Sequence, residues 1–189
     1  KAVAPTLHSW IERGFVIASV VPSCTFMMQK EWPLLLPEDI NVAAVSANTF
    51  CISDYMVELD KSVGLAPGLQ PLTEGLTVQL SCHARAQNKG QKAVEMLKMI
   101  PQMAPHVIER CSGHGGTFGV MNFDTALKVG KPAAKQALQN DTRLVLSECP
   151  LAAKHLLQGM EILDTDKQGQ LQDAHPIEIM AQSYGLEYL

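Results

Sequence analysis

Four apolar runs in this chain each lead into a cysteine: residues 15–21 before Cys24, 76–80 before Cys82, 107–108 before Cys111 and 144–146 before Cys149. Short apolar runs bounded by turn residues read as buried strands. Each cysteine then falls where a strand ends and a helix begins. Parallel strands of an α/β sheet gather their C-terminal ends along one edge, which is where such folds place their sites. The pattern predicts an α/β chain with a mostly parallel sheet flanked by helices, its four sulfurs opening onto that edge.

Helical spacing fills the intervals. The period predicts helix over residues 25–36, broken by Pro33, and a longer helical region over 41–63 in which Val42, Val45, Phe50, Tyr55 and Leu59 supply the apolar positions. Further helices are predicted over 91–100, where Val94, Leu97 and Ile100 share a face, over 123–138 with Gly130 and Pro132 bending it, over 150–159, and from Pro176 onwards. Residues 64–75, carrying Pro67 and Pro71, read as a loop and a possible internal joint, and 164–174 as a polar loop. A chain of 189 residues suits a single domain. Its first residue is Lys1 rather than methionine, so the expectation is the C-terminal part of a longer protein.

Charge narrows the partners. A net charge of −4 and a pI near 5.8, with lysines and arginines scattered, leave no basic stripe to replace counterions on nucleic acid. No apolar stretch reaches the roughly 18–20 residues of a transmembrane helix. Five widely spread cysteines, an odd count, argue against a secreted disulfide framework and for free or metal-bound thiols in a reducing cytoplasm.

Thiolates at helix N-termini are stabilised by free N–H groups and the helix dipole, which prepares them to bind metal. Four such thiolates, Cys24, Cys82, Cys111 and Cys149, suit either an iron–sulfur cluster or zinc, and sequence does not separate the two. A set of buried, unliganded cysteines is the alternative, and Cys51, inside the helical region, reads as core. The loop 112–119 carries Gly113, Gly115, Gly116 and Gly119, whose backbone can cradle a phosphate or approach a cluster closely. His83 and His114 are candidate cofactor neighbours, together with Gly113 and Gly115, and His155 reads as a packing residue. Arg85 and Lys89 read as solvated side chains able to balance an anionic cluster.

The segments PSCTFMMQKEWPLLLP, SCHARAQNKGQKAVEMLKMIP, VIERCSGHGGTFGV and LSECPLAAKHLLQG resemble, in that order, the cysteine-rich (CCG-type) domain of a known family. That family comprises the B-type subunit of heterodisulfide reductase and the iron–sulfur subunits of anaerobic glycerol-3-phosphate dehydrogenase and glycolate oxidase. The resemblance covers residue 15 to the end and is to the second of two such domains, in a branch of heterodisulfide reductase-related iron–sulfur binding proteins. Its pattern is a cysteine, then Cys-Cys-Gly, then Cys-x-x-Cys. Cys82 matches the first, Cys111 the first of the pair and Cys149 the first of the last two, while Ser112 and Ala152 stand where cysteines are expected. A five-cysteine noncubane cluster is therefore not implied.

The resulting expectation is an electron-transfer domain holding one [4Fe–4S] cluster, cytoplasmic or peripheral to a membrane through a partner. Its partner is a redox subunit or an upstream ferredoxin-like domain. A structural or subunit-interaction module with zinc or an empty site is the alternative. A thiol enzyme using Cys111 or Cys149 with His114 as base is a third reading.

Overall fold

A computed structural model describes residues 2–72, 75–140 and 142–186. In chain order the elements are α1 (Ala4–Ile11), β1 (Ile17–Ser19), α2 (Pro22–Phe26), a π-helical turn (Met27–Glu31), α3 (Trp32–Leu35), α4 (Ile40–Ala47), β2 (Thr49–Cys51) and α5 (Ile52–Val63). They continue with β3 (Leu76–Gln79), α6 (Cys82–Ala86), α7 (Lys92–Leu97), β4 (His106–Ile108), α8 (Thr117–Met121) and α9 (Phe123–Gln139). The last are β5 (Leu144–Leu146), α10 (Pro150–Leu163), a 3-10 turn (Thr165–Lys167), β6 (Gln172–Ala174) and α11 (Pro176–Ser183).

The strands form two parallel sheets, a four-stranded one in the order β4-β3-β5-β6 and a separate pair, β1-β2. All four residues of β3 and all three of β5 are buried, as strands covered on both faces must be. Alternation along them separates two cores. Leu76, Val78, Leu80, Leu144 and Leu146 meet Val94, Leu97 and Ile100 with Ile179 and Met180 of α11 on one face. Val145 and Ile108 meet Ala133, Ala134 and Ala137 of α9 with Leu156 and Met160 of α10 on the other. A stripe of small residues lets α9 and α10 lie close, so that a Cβ added at Gly159 would touch that of Ala134 at 3.3 Å. Helices cover the sheet on both faces, over the apolar residues that each face presents.

Several details differ from the sequence reading. The run 15–21 is not a buried strand: β1 has three residues, and Phe15, Val16 and Val20 are 52%, 41% and 52% exposed, because a two-stranded sheet covers little of them. The helical region 41–63 is split by β2, since the Asn48 that ends α4 is followed by the strand-forming Thr49 and Phe50. Pro22 and Ser23 open α2 rather than forming a turn, and Pro33 sits in the first turn of α3, where its missing N–H is harmless. The helix expected over 123–138 is present as α9, which runs on through Gly130 and Pro132. Part of the polar loop 164–174 is the edge strand β6.

Residues 64–72 of the expected joint are sewn to α11. Ser183 Oγ donates to the Gln70 carbonyl at 2.7 Å, Gln70 N–H to the Ser183 carbonyl at 2.8 Å, and Tyr184 Oη to the Ala66 carbonyl at 2.7 Å. Thr73 and Glu74 of that segment lie outside the described residues.

Candidate metal centre at the sheet edge

The chain leaves β3 for β4 on one side and, after crossing to β5, continues to β6 on the other. The crevice between the diverging β3 and β5 ends is the position where open α/β sheets bind ligands. A cavity of about 260 Å³ lies there, rimmed by Ser81, Cys82 and His83 after β3, by Ser112, His114 and Gly115 after β4, and by Cys149 and Ala152 after β5. Among the described residues no acidic side chain lines it.

Register brings Cys82 and Cys111 together. Gln79 of β3 pairs with Ile108 of β4, and each cysteine lies three residues further on. Cys82 follows its N-cap, Ser81, whose hydroxyl accepts from Ala84 N–H, and the Arg85 guanidinium donates to the Glu109 carbonyl at 2.8 Å. The Cys111 sulfur accepts a hydrogen bond from Gly113 N–H at 3.3 Å. Burial and then the neighbouring Cys111 thiol push Cys82 above its ordinary pKa, so the lowering expected from a helix N-terminus is overridden here. Cys149 is the N-cap of α10, its N–H held by Ser147 Oγ at 3.2 Å.

Cys24 stands apart. It lies within α2, is exposed, and belongs with the β1-β2 pair rather than the larger sheet. Its helix nevertheless borders the cavity: Ser23 lines it, and the Phe26 ring lies 5.8 Å from that of His83. Among the described residues no three histidine, cysteine, aspartate or glutamate side chains surround a common point that could hold a metal ion. The donor chemistry still fits a thiophilic group, since Cys82 and Cys149 line an acid-free cavity and Cys111 lies beside Cys82.

The glycine loop has a packing role. A Cβ at Gly113, where φ is +90°, would collide with the Ala126 carbonyl, and one at Gly130 with the Ser112 carbonyl. These two glycines let the loop seat directly on α9, while Gly115 and Gly116 face the cavity. His114 packs edge-on against His155 at 5.5 Å, and burial with that second imidazole holds His114 below its ordinary pKa. His155 is 2% exposed, also meets Phe123 at 5.7 Å, and leaves its Nε2 without a partner among the described residues.

Several residues at this edge carry no sequence signal as site residues. Gln79, 1% exposed, donates from Nε2 to the Leu80 and Arg110 carbonyls and accepts from Ser147 Oγ at Oε1. Cys51 is not inside a helix: it ends β2 and caps α5, a fifth strand-end cysteine, and it is buried. Its thiol meets Glu148, itself 4% exposed. Lys89 pairs with the largely buried Asp54 at 2.6 Å rather than standing free.

Compared with known proteins, the chain is 24% identical over 159 residues to the D-type subunit of the dihydromethanophenazine:CoB–CoM heterodisulfide reductase of Methanosarcina barkeri, covering 82% of this chain and 37% of that protein. It is 27% identical over 171 residues to the same polypeptide of Methanosarcina mazei, covering 87% of this chain and 39% of that one. The chain resembles a reductase subunit. Likeness along most of its length supports a heterodisulfide reductase-related family. The chain spans less than two fifths of the length of these curated relatives. No family model matches. Among the described residues no helix is long and apolar enough to cross a membrane.

Proposed function

We propose that this chain is the cysteine-rich redox domain of an oxidoreductase complex, with Cys82, Cys111, Cys149 and Cys24 as the ligands of one [4Fe–4S] cluster. The observation that carries this reading is that Cys82 and Cys149 line one cavity at the β3-β5 crevice while the Cys111 thiol lies beside Cys82. Similarity to a reductase subunit supports it.

A bound cluster supplies one-electron transfer, and the chain's own groups do the rest. Cys82, Cys111 and Cys149 provide thiolates from a rigid sheet edge, and Cys24 provides the fourth from α2. Gly113 N–H, already aimed at the Cys111 sulfur, stabilises negative charge there and tunes the potential. His83 and His114 flank the cavity and limit water. Two thiols side by side resist ionising together, and a cation between them relieves that repulsion. The domain takes electrons from, or gives them to, the remainder of a longer protein or a partner subunit. Five free cysteines suit a reducing, cytoplasmic setting.

The test is electron paramagnetic resonance on anaerobically reconstituted, dithionite-reduced protein. A [4Fe–4S] signal that disappears in Cys82→Ser supports the reading. A folded protein that takes up zinc and gives no such signal overturns it in favour of a structural zinc module.

A further inference from the structure

We infer that Gln79 is a positioning residue that sets the relative placement of the three strand-end cysteines, with Ser147 as its relay to Cys149; this rests on the cluster reading above. The carboxamide sits at the end of β3, on the face where Val145 and Ile108 are apolar, so an apolar residue would satisfy packing alone. Instead its two polar atoms together reach three strand ends. Nε2 donates at 2.9 Å to the Leu80 carbonyl, two residues before Cys82, and at 2.9 Å to the Arg110 carbonyl, immediately before Cys111. Oε1 accepts from Ser147 Oγ at 3.0 Å, and that oxygen accepts from Cys149 N–H at 3.2 Å.

These bonds fall where the ladder stops. Beyond Gln79, Leu80 N–H still reaches the Ile108 carbonyl, but the chains then diverge into separate loops. A buried, fully paired amide holds those carbonyls at fixed spacing where an unpaired carbonyl would carry the full desolvation penalty. Gln79 also lines the cavity, so the same side chain that spaces the cysteines forms its floor. Cys24 has no part in the network.

Two variants test this on metal-free, folded protein by measuring iodoacetamide modification of each cysteine by mass spectrometry. Ser147→Ala releases only the Cys149 arm and is expected to speed Cys149 modification about fivefold, the effect of one ordinary hydrogen bond, with Cys24 unchanged. Gln79→Met, similar in size, is expected to alter the rates of Cys82, Cys111 and Cys149, again with Cys24 unchanged. After reconstitution, both variants are expected to shift the reduction potential of the centre. Wild-type rates at every cysteine in folded Ser147→Ala overturn the proposal, whether or not Gln79→Met folds. Wild-type protein that takes up no iron overturns the cluster reading instead, and the modification rates still decide the role of Gln79.

Discussion

The Cys51 thiol donates a hydrogen bond of 3.1 Å to Oε1 of Glu148, linking the end of the two-stranded sheet to the edge of the four-stranded one. Burial, followed by the charge of Glu148 and its hydrogen bond, pushes the thiol up to about 12. Since the thiolate is the reacting species, Cys51 is expected to react slowly in the folded protein. At pH 8, alkylation of native, metal-free protein is expected to modify Cys24, Cys82 and Cys111, which are exposed, and to leave Cys51 untouched until denaturant is added. Rapid labelling of Cys51 in folded protein would contradict this placement.

Gly130 lies inside α9, where alanine ordinarily stabilises a helix by about 1 kcal/mol over glycine. Here the sign reverses, because the new methyl would strike the Ser112 carbonyl of the loop that carries Cys111 and His114. Gly130→Ala is expected to destabilise the protein by about 1–3 kcal/mol, as overpacking does, in urea denaturation. A neutral or stabilising effect would mean the loop does not rest on the helix.

Acid sensitivity is expected from His175. It caps α11: Nδ1 accepts from Ile177 N–H at 3.1 Å, and Nε2 hydrogen-bonds the Val20 carbonyl at 2.8 Å, which fixes the neutral ring with its proton on Nε2. Burial lowers its pKa despite the opposing Val20, Glu148 and Glu178 contributions. A depressed folded pKa means that the unfolded chain takes up the proton first. Stability from this group is therefore complete above the ordinary histidine value of about 6.5 and is lost as pH falls through the folded value. His114 shifts in the same direction and adds to the loss. Denaturation midpoints measured downward from pH 7.5 are expected to fall below about pH 6.5, and His175→Asn, which keeps a capping group, should flatten the slope. An unchanged slope in that variant would remove His175 from the account.

Legibility from sequence followed how locally each feature is encoded. β3 could be read because Leu76, Val78 and Leu80 alternate on one face, and β5 because both faces are buried, which writes an unbroken apolar run into the sequence. The same rule misled at residues 15–21, where the run belongs to a two-stranded edge and Phe15 faces solvent. β2 was hidden because three residues cannot display a period, although Asp39, capping α4 through Asn41 and Val42 N–H groups, and Asn48 at its end mark a helix too short to reach Cys51. β6 was hidden because two of its three residues, Gln172 and Asp173, are polar, as an edge strand allows. The cysteines could be picked out by their position after strands, whereas Gln79, Ser147 and Glu148 meet side chains or carbonyls 31 to 97 residues away and leave no local pattern.

Iron and acid-labile sulfide content after anaerobic reconstitution decides whether the chain holds a [4Fe–4S] cluster. Equal amounts of iron and sulfide are expected in the wild-type chain, with loss of both in Cys82→Ser, Cys111→Ser and Cys149→Ser, each still folded by circular dichroism. Folded wild-type protein with neither iron nor sulfide, or with zinc in their place, would contradict it.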